Sequence, residues 1–228
     1  MNDASTRRLL TAGVVAGPLV LAAGFAQAFL RQGFDLRRHA SSQLALGEPG
    51  WIQSLNFVVA GLLMLLFALG ARRALKGTPG GFWAPLLLGV FAVSHVAVGI
   101  FRTDPAFGFP PGPGTPAGLP SYTGASTHAA LHSLFGGIGF NALMIACFVL
   151  ARHFGRQRRG MMGFSLFTGF VIVATFLYAA SWEARHTDPA VRAASHFNFL
   201  PMWLSLPVVW GYLTTLAWRL RLAAGSRP

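Results

Sequence analysis

Six long apolar runs, uncharged but for Arg219 at the end of the last, dominate the chain and leave few folds open to it. They cover residues 9–30, 51–71, 82–101, 125–151, 161–181 and 196–220. A hydrocarbon core about 30 Å thick is crossed by roughly 20 residues at a helical rise of about 1.5 Å, so each run is long enough to span a bilayer. Backbone polar groups in lipid must be satisfied within their own segment, and runs of this length far exceed a barrel strand. The expected class is therefore all-α: a polytopic six-helix transmembrane bundle forming one domain over residues 1–228. A net charge of +12, from 18 Lys+Arg against 6 Asp+Glu, would by itself suggest nucleic acid. With only 11% charged residues, 54% hydrophobic residues and a mean hydropathy of +0.53, the expected partners are membrane lipids and not nucleic acid. The lone Cys147 rules out an internal disulfide, a CxxC pair and a cysteine-cage zinc site.

The distribution of basic residues sets the expected orientation. Arg7, Arg8, Arg72, Arg73, Lys76, Arg152, Arg156, Arg158, Arg159, Arg219, Arg221 and Arg227 fall on alternate segments, and the other segments hold Arg31, Arg37, Arg38, Arg102, Arg185 and Arg192. Both termini are expected in the cytoplasm, with the protein in the inner (plasma) membrane. The Thr6-Arg7-Arg8-Leu9-Leu10 stretch and the later Ala26-Gln27-Ala28 resemble a signal peptide, but a 22-residue run is longer than the usual signal core of about 7 to 15. An uncleaved first helix is expected, with Gly13 and Gly17 suited to helix packing.

The segments expected outside carry the unusual chemistry. Five of six acids, Asp35, Glu48, Asp104, Glu183 and Asp188, lie there, and so do His39, His128, His186 and His196, with His132 one turn further in and His95 near the outer end of the third span. Residues 35–47 read as a short interfacial helix, with Asp35 as N-cap and Gly47 beyond the last turn. Residues 102–124 hold six prolines and five glycines, a lid or irregular cap rather than a connection. His128 and His132 follow at i, i+4 and share a helix face, which Phe135, Gly136 and Gly139 extend as a close-packing surface. The repeated Thr-Asp-Pro-Ala at 103–106 and 187–190 reads first as two helix caps. The pairs Asp35/His39, Asp104/His128 and Asp188/His196 would also suit three hairpins closing on one site.

Intramembrane polar groups cluster at the same end and describe an outward-opening, His-rich polar cavity. Pro201 and Pro207 are placed to kink the last span beside it. The leading expectation is a protein that binds, and in an enzymatic form processes, a lipid or small amphiphile. The candidate catalytic groups are His39, His128, His132 and Asp104. Candidate ligand-binding groups are Gln53, Asn56, His95, Arg102, Glu183 and Asn198, and His128, His132 and His196 are the candidate ligands of a divalent metal such as zinc. No HExxH pattern or nucleophile elbow accompanies them. Two alternatives stay open: haem b held by His128 or His132 with His95 or His196, and a transporter or sensor without catalysis. The histidines would charge between about pH 5 and 7, and the oligomeric state is left open.

Three stretches carry a family resemblance: Phe34-Asp35-Leu36-Arg37-Arg38-His39-Ala40-Ser41-Ser42-Gln43-Leu44-Ala45-Leu46-Gly47 with Gly50-Trp51-Ile52-Gln53 and Asn56-Phe57, then Phe101-Arg102-Thr103-Asp104-Pro105, then His128-Ala129-Ala130-Leu131-His132. The chain resembles, over nearly its whole length, a bacterial and archaeal family of six-span membrane proteins known as domain of unknown function 998. That resemblance implies the six-span fold and carries no activity. The chain is also distantly similar to a eukaryotic six-span group that includes GPI-lipid remodelling factors and autophagy modulators, which implies lipids. Gln43 stands where many relatives carry an acidic residue, a departure that weakens a metal site there.

Overall fold

The computed structural model describes residues 3–118 and 124–225, so 119–123 of the Pro/Gly-rich segment lie outside the described residues. In chain order the elements are α1 (Asp3–Leu30), a 3₁₀ turn (Ser41–Ala45), α2 (Trp51–Ala74), α3 (Trp83–Ile100), α4 (Thr127–Phe154), α5 (Arg159–Arg185), the short α6 (Pro189–Ala194) and α7 (Leu200–Gly225). Six of the seven α-helices, all but α6, are long and apolar enough to cross a membrane. Among the described residues the sole β feature is a bridge between Ala106 and Phe109. The fold is an all-α polytopic membrane bundle.

Most helices run past their apolar runs at the basic end. Arg72 and Arg73 close α2, and Arg152 and His153 close α4, where cations complement the negative end of the helix dipole. At the opposite end side chains set the boundaries. Ser126 Oγ accepts the Ala129 N–H at 3.1 Å and starts α4. Asn198 Oδ1 accepts the Leu200 N–H at 3.1 Å, so α7 begins at residue 200 rather than 196.

The six long helices form a closed ring. Each packs on its chain neighbour from α1 to α5, and α7 closes onto α1 and, less extensively, onto α5. Glycines set the tight seams. A Cβ on Gly17 would lie 2.8 Å from the Trp210 carbonyl oxygen, and one on Gly61 would lie 2.8 Å from that of Ala92. Gly13 and Gly17 thus serve the close packing expected of them. The core fills the half of the ring nearer the basic end, where Leu10, Met64, Phe67, Leu88, Leu143, Leu150, Leu213 and Leu216 are fully buried. Phe29, Leu62, Leu69, Phe170, Leu177 and Leu204 stay exposed and give the ring the apolar outer surface that lipid requires. Toward the other end, α5 stands apart from α7 and the interior is hollow.

Candidate functional site

A roof covers the hollow end, built from residues 31–47 and 101–118. Its first segment is not one continuous helix. Asp35 begins a single turn, with its Oδ1 accepting the Arg37 N–H at 2.8 Å, and Ala40 is extended before the 3₁₀ turn (Ser41–Ala45). The break lets three side chains cross to distant backbone. His39 Nδ1 accepts the Asp35 N–H at 2.8 Å, so the neutral ring carries its proton on Nε2, which donates to the Phe107 carbonyl at 3.0 Å. Gln43 Nε2 donates to the Ala106 carbonyl at 2.9 Å while its Oε1 accepts the Ala40 N–H at 2.8 Å. Arg31 donates to the carbonyls of Leu44 and Leu46 at 3.0 and 2.6 Å and lies over the Phe109 ring.

These contacts hold a strained feature in place. Phe107 is buried with φ at 56°, a conformation costly to a bulky side chain by about 1 to 3 kcal/mol. It persists because the His39 bond and a bond from its own N–H to the Gly118 carbonyl at 3.2 Å fix both of its backbone groups. Trp203 Nε1 donates to the His39 carbonyl at 2.8 Å and ties the roof to α7. Burial drives the His39 imidazole pKa below its ordinary value, the Phe107 bond pulls it back up, Arg38 lowers it and Asp35 raises it.

Under the roof lie three adjoining spaces. A chamber of about 290 Å³ sits inside the ring and draws wall residues from all six long helices, among them Phe25, Phe57, His95, Gly136, Phe176 and Trp210. A vestibule of about 600 Å³ shares His132 and Ser133 with the chamber and adds Asp104, Glu183 and Arg192. A side pocket of about 160 Å³ between α5 and α7, walled by Ile172, Phe176, Leu206 and Val209, also adjoins the chamber. Glycines make the room. A Cβ on Gly24 or Gly137 would meet nothing within 4 Å, and one on Gly136 would only touch Val98 at 4.0 Å. On the helix face expected to pack closely, Phe135 stacks on Phe101 and a Cβ on Gly139 would lie 2.7 Å from Ser94 Cβ, but Gly136 opens onto the chamber.

Of the histidines, His95 and His132 line the chamber. His95 is 6% exposed, is ringed by Phe57, Phe91 and Trp210 at centroid distances of 5.6, 4.8 and 5.2 Å, and its Nε2 has no hydrogen-bond partner among the described residues. His132 Nδ1 donates to the Phe101 carbonyl at 2.7 Å, one of the free carbonyls at the end of α3, and leaves only Nε2 for other partners. His39 belongs to the roof, with both ring nitrogens bonded to backbone. His128 is exposed with its ring against Phe101, and His196 is exposed. Among the described residues no group of three or more His, Cys, Asp and Glu is placed to hold a metal ion, so His128, His132 and His196 do not form a common ligand set.

The other candidates divide in the same way. Gln53 lines the chamber and its Oε1 accepts from Gln27 Nε2 at 2.8 Å and Asn56 Nδ2 at 3.2 Å, a network joining α1 to α2. Asp104 faces the vestibule but grips Ser126, accepting its N–H at 2.8 Å and its hydroxyl at 2.6 Å. Glu183 is paired with the buried Arg192, which lies over the Trp182 ring at 5.3 Å. Arg102 is exposed beyond the end of α3, and Asn198 is spent on starting α7. The two Thr-Asp-Pro-Ala copies have different jobs. Asp188 caps α6 by accepting the Ala190 N–H at 2.8 Å, whereas Asp104 caps no helix of its own and ties the roof to α4. The three Asp/His pairs therefore do not close on one site.

Sequence reasoning missed Arg31 and Trp203, whose partners are carbonyls far along the chain, and Gly24 and Gly137, which act by leaving space. No curated protein and no solved structure matches the chain significantly. A family model described as protein of unknown function (DUF998) matches residues 14–224, and by that match the chain belongs to this family.

Proposed function

We propose that this membrane protein binds a lipid-like amphiphile in the roofed cavity, admitting it from the bilayer between α5 and α7. The observation that carries this reading is the graded cavity itself: an apolar chamber within the ring, an apolar side pocket at the loosest helix seam, and a vestibule bearing Asp104, Glu183 and Arg192. A chamber of about 290 Å³ joined to further space falls in the range of small-molecule sites, which are mostly apolar with a few placed polar groups. Phe176 lines both the chamber and the side pocket while being 38% exposed, as a residue at a lateral entrance would be. The basic-residue bias favours the roofed end facing outward, so the amphiphile comes from the outer leaflet.

Native mass spectrometry of protein released from membranes tests this. The wild type is expected to retain a lipid-sized adduct through mild activation. Gly136→Leu, which places a side chain in the chamber at a position where a Cβ meets only Val98 at 4.0 Å, is expected to lose it. Equal adduct retention in the two proteins, or no adduct on either, contradicts the reading.

A further inference from the structure

His95 sits where an apolar occupant alone would be a poor fit. Its ring is boxed by Phe57, Phe91 and Trp210, it is 6% exposed, and it lines the chamber with Nε2 unpartnered among the described residues. An acyl chain packed there would leave that nitrogen without a partner, and an unsatisfied buried polar group is destabilising. An oxygen atom on the occupant removes the penalty. The chamber also restricts the charge of what enters it. Its walls include Gln53, Ser94, His95, His132 and Ser133 but, among the described residues, no Asp, Glu, Lys or Arg. A charged headgroup would be desolvated there with no counter-ion, whereas the charged side chains Asp104, Glu183 and Arg192 all belong to the vestibule.

Resting on the amphiphile reading above, we propose that the chamber takes the head of an uncharged lipid, one bearing a carbonyl or hydroxyl oxygen that hydrogen-bonds His95 Nε2. The lipid tail leaves through the side pocket between α5 and α7, whose walls Ile172, Phe176, Leu206 and Val209 are apolar. A carbonyl takes the bond when Nε2 carries the proton, and a hydroxyl takes it in the other tautomer. The placement inverts the usual expectation for a lipid site in which the tail goes inward: here the head is inside the ring and the tail is in the bilayer.

The test uses full-length protein in detergent or nanodiscs with three probes: a short-chain quinone, which can only accept, dioctanoylglycerol, which accepts and donates, and dioctanoylphosphatidate, which is charged. Trp203 and Trp210 line the chamber, so binding is read from tryptophan fluorescence and checked by thermal shift. At least one neutral probe is expected to bind the wild type about tenfold or more tighter than the phosphatidate, a difference of roughly 1.4 kcal/mol. His95→Phe keeps the aromatic box and removes the polar atom, and is expected to weaken that probe by about tenfold. His95→Gln, which restores a donor and an acceptor, is expected to recover most of the loss. The quinone and glycerolipid arms then tell which tautomer is used.

Tight phosphatidate binding, wild-type affinity in His95→Phe, or no neutral probe bound overturns the inference. Should His95→Phe fail to fold, the comparison of neutral and charged probes on the wild type still decides it. Gly136→Leu separates the two levels. If it blocks the probes while His95→Phe does not, the head-group assignment fails and the amphiphile site stands; if it leaves binding intact, the site itself fails.

Discussion

His39 shows how one neutral imidazole secures a roof. It uses its acceptor on the Asp35 N–H and its donor on the Phe107 carbonyl, and protonation would put a second N–H against the Asp35 N–H. Its pKa is lowered in the fold relative to the ordinary 6.5, so the unfolded chain takes up the proton first as the pH falls. The stability it contributes is therefore complete above pH 6.5 and is lost below it, down through the folded value. The melting temperature in detergent is expected to drop between pH 7 and pH 5, more steeply for the wild type than for His39→Phe. At pH 7 that variant is expected to be about 2 kcal/mol less stable, because it strands the buried Phe107 carbonyl and leaves the Asp35 N–H without its partner. A wild-type melting temperature that is flat or rising on acidification would contradict this. The sequence marks His39 and Gln43 as unusual by polarity, but their partners lie 68 and 63 residues away on backbone carbonyls, which no residue spacing encodes. His39 therefore reads from sequence as a candidate catalytic group, while in the fold both of its ring nitrogens are bonded to backbone.

Helices are legible where apolarity decides them and illegible where a cap or a void does. The six spans follow from the apolar runs, whereas the start of α7 depends on Asn198 and that of α4 on Ser126. Glycines show the same divide, since sequence alone presents Gly17, Gly136 and Gly139 as one kind of packing residue. Gly17→Ala is expected to cost about 1 to 3 kcal/mol by forcing α1 from α7, as its Cβ would lie 2.8 Å from the rigid Trp210 carbonyl oxygen. Gly136→Leu is expected to hold or raise stability by up to about 1 kcal/mol, because helix propensity improves and the space is open. Thermal unfolding of the two variants side by side checks both, and a Gly136→Leu protein as damaged as Gly17→Ala would contradict the open chamber. Asp104→Ala removes two hydrogen bonds that tie the roof to α4. Limited proteolysis within residues 109–118 is expected to accelerate severalfold while the six spans stay intact.

Taken whole, the molecule gathers its main apolar core toward its basic end and carries the chamber and vestibule under its roof. The charge asymmetry was readable, since twelve of the eighteen basic residues fall on the segments that share the termini. The hollow was not, because it is made by what Gly24, Gly136 and Gly137 lack and by a loose α5–α7 seam between residues far apart in the chain. Orientation is testable because the lone Cys147 is buried and gives little labelling background. A membrane-impermeant maleimide is expected to label an Ala117→Cys variant on intact cells and a Lys76→Cys variant only after lysis; the reverse pattern would invert the topology. The central claim is that the cavity is a lipid site, and a side-chain-resolution density map of the protein in a lipid nanodisc tests it most directly. The account predicts elongated non-protein density that begins beside His95 and leaves between α5 and α7. A chamber closed by the side chains of Phe57, Phe140 and Trp210, with no such density, would contradict it.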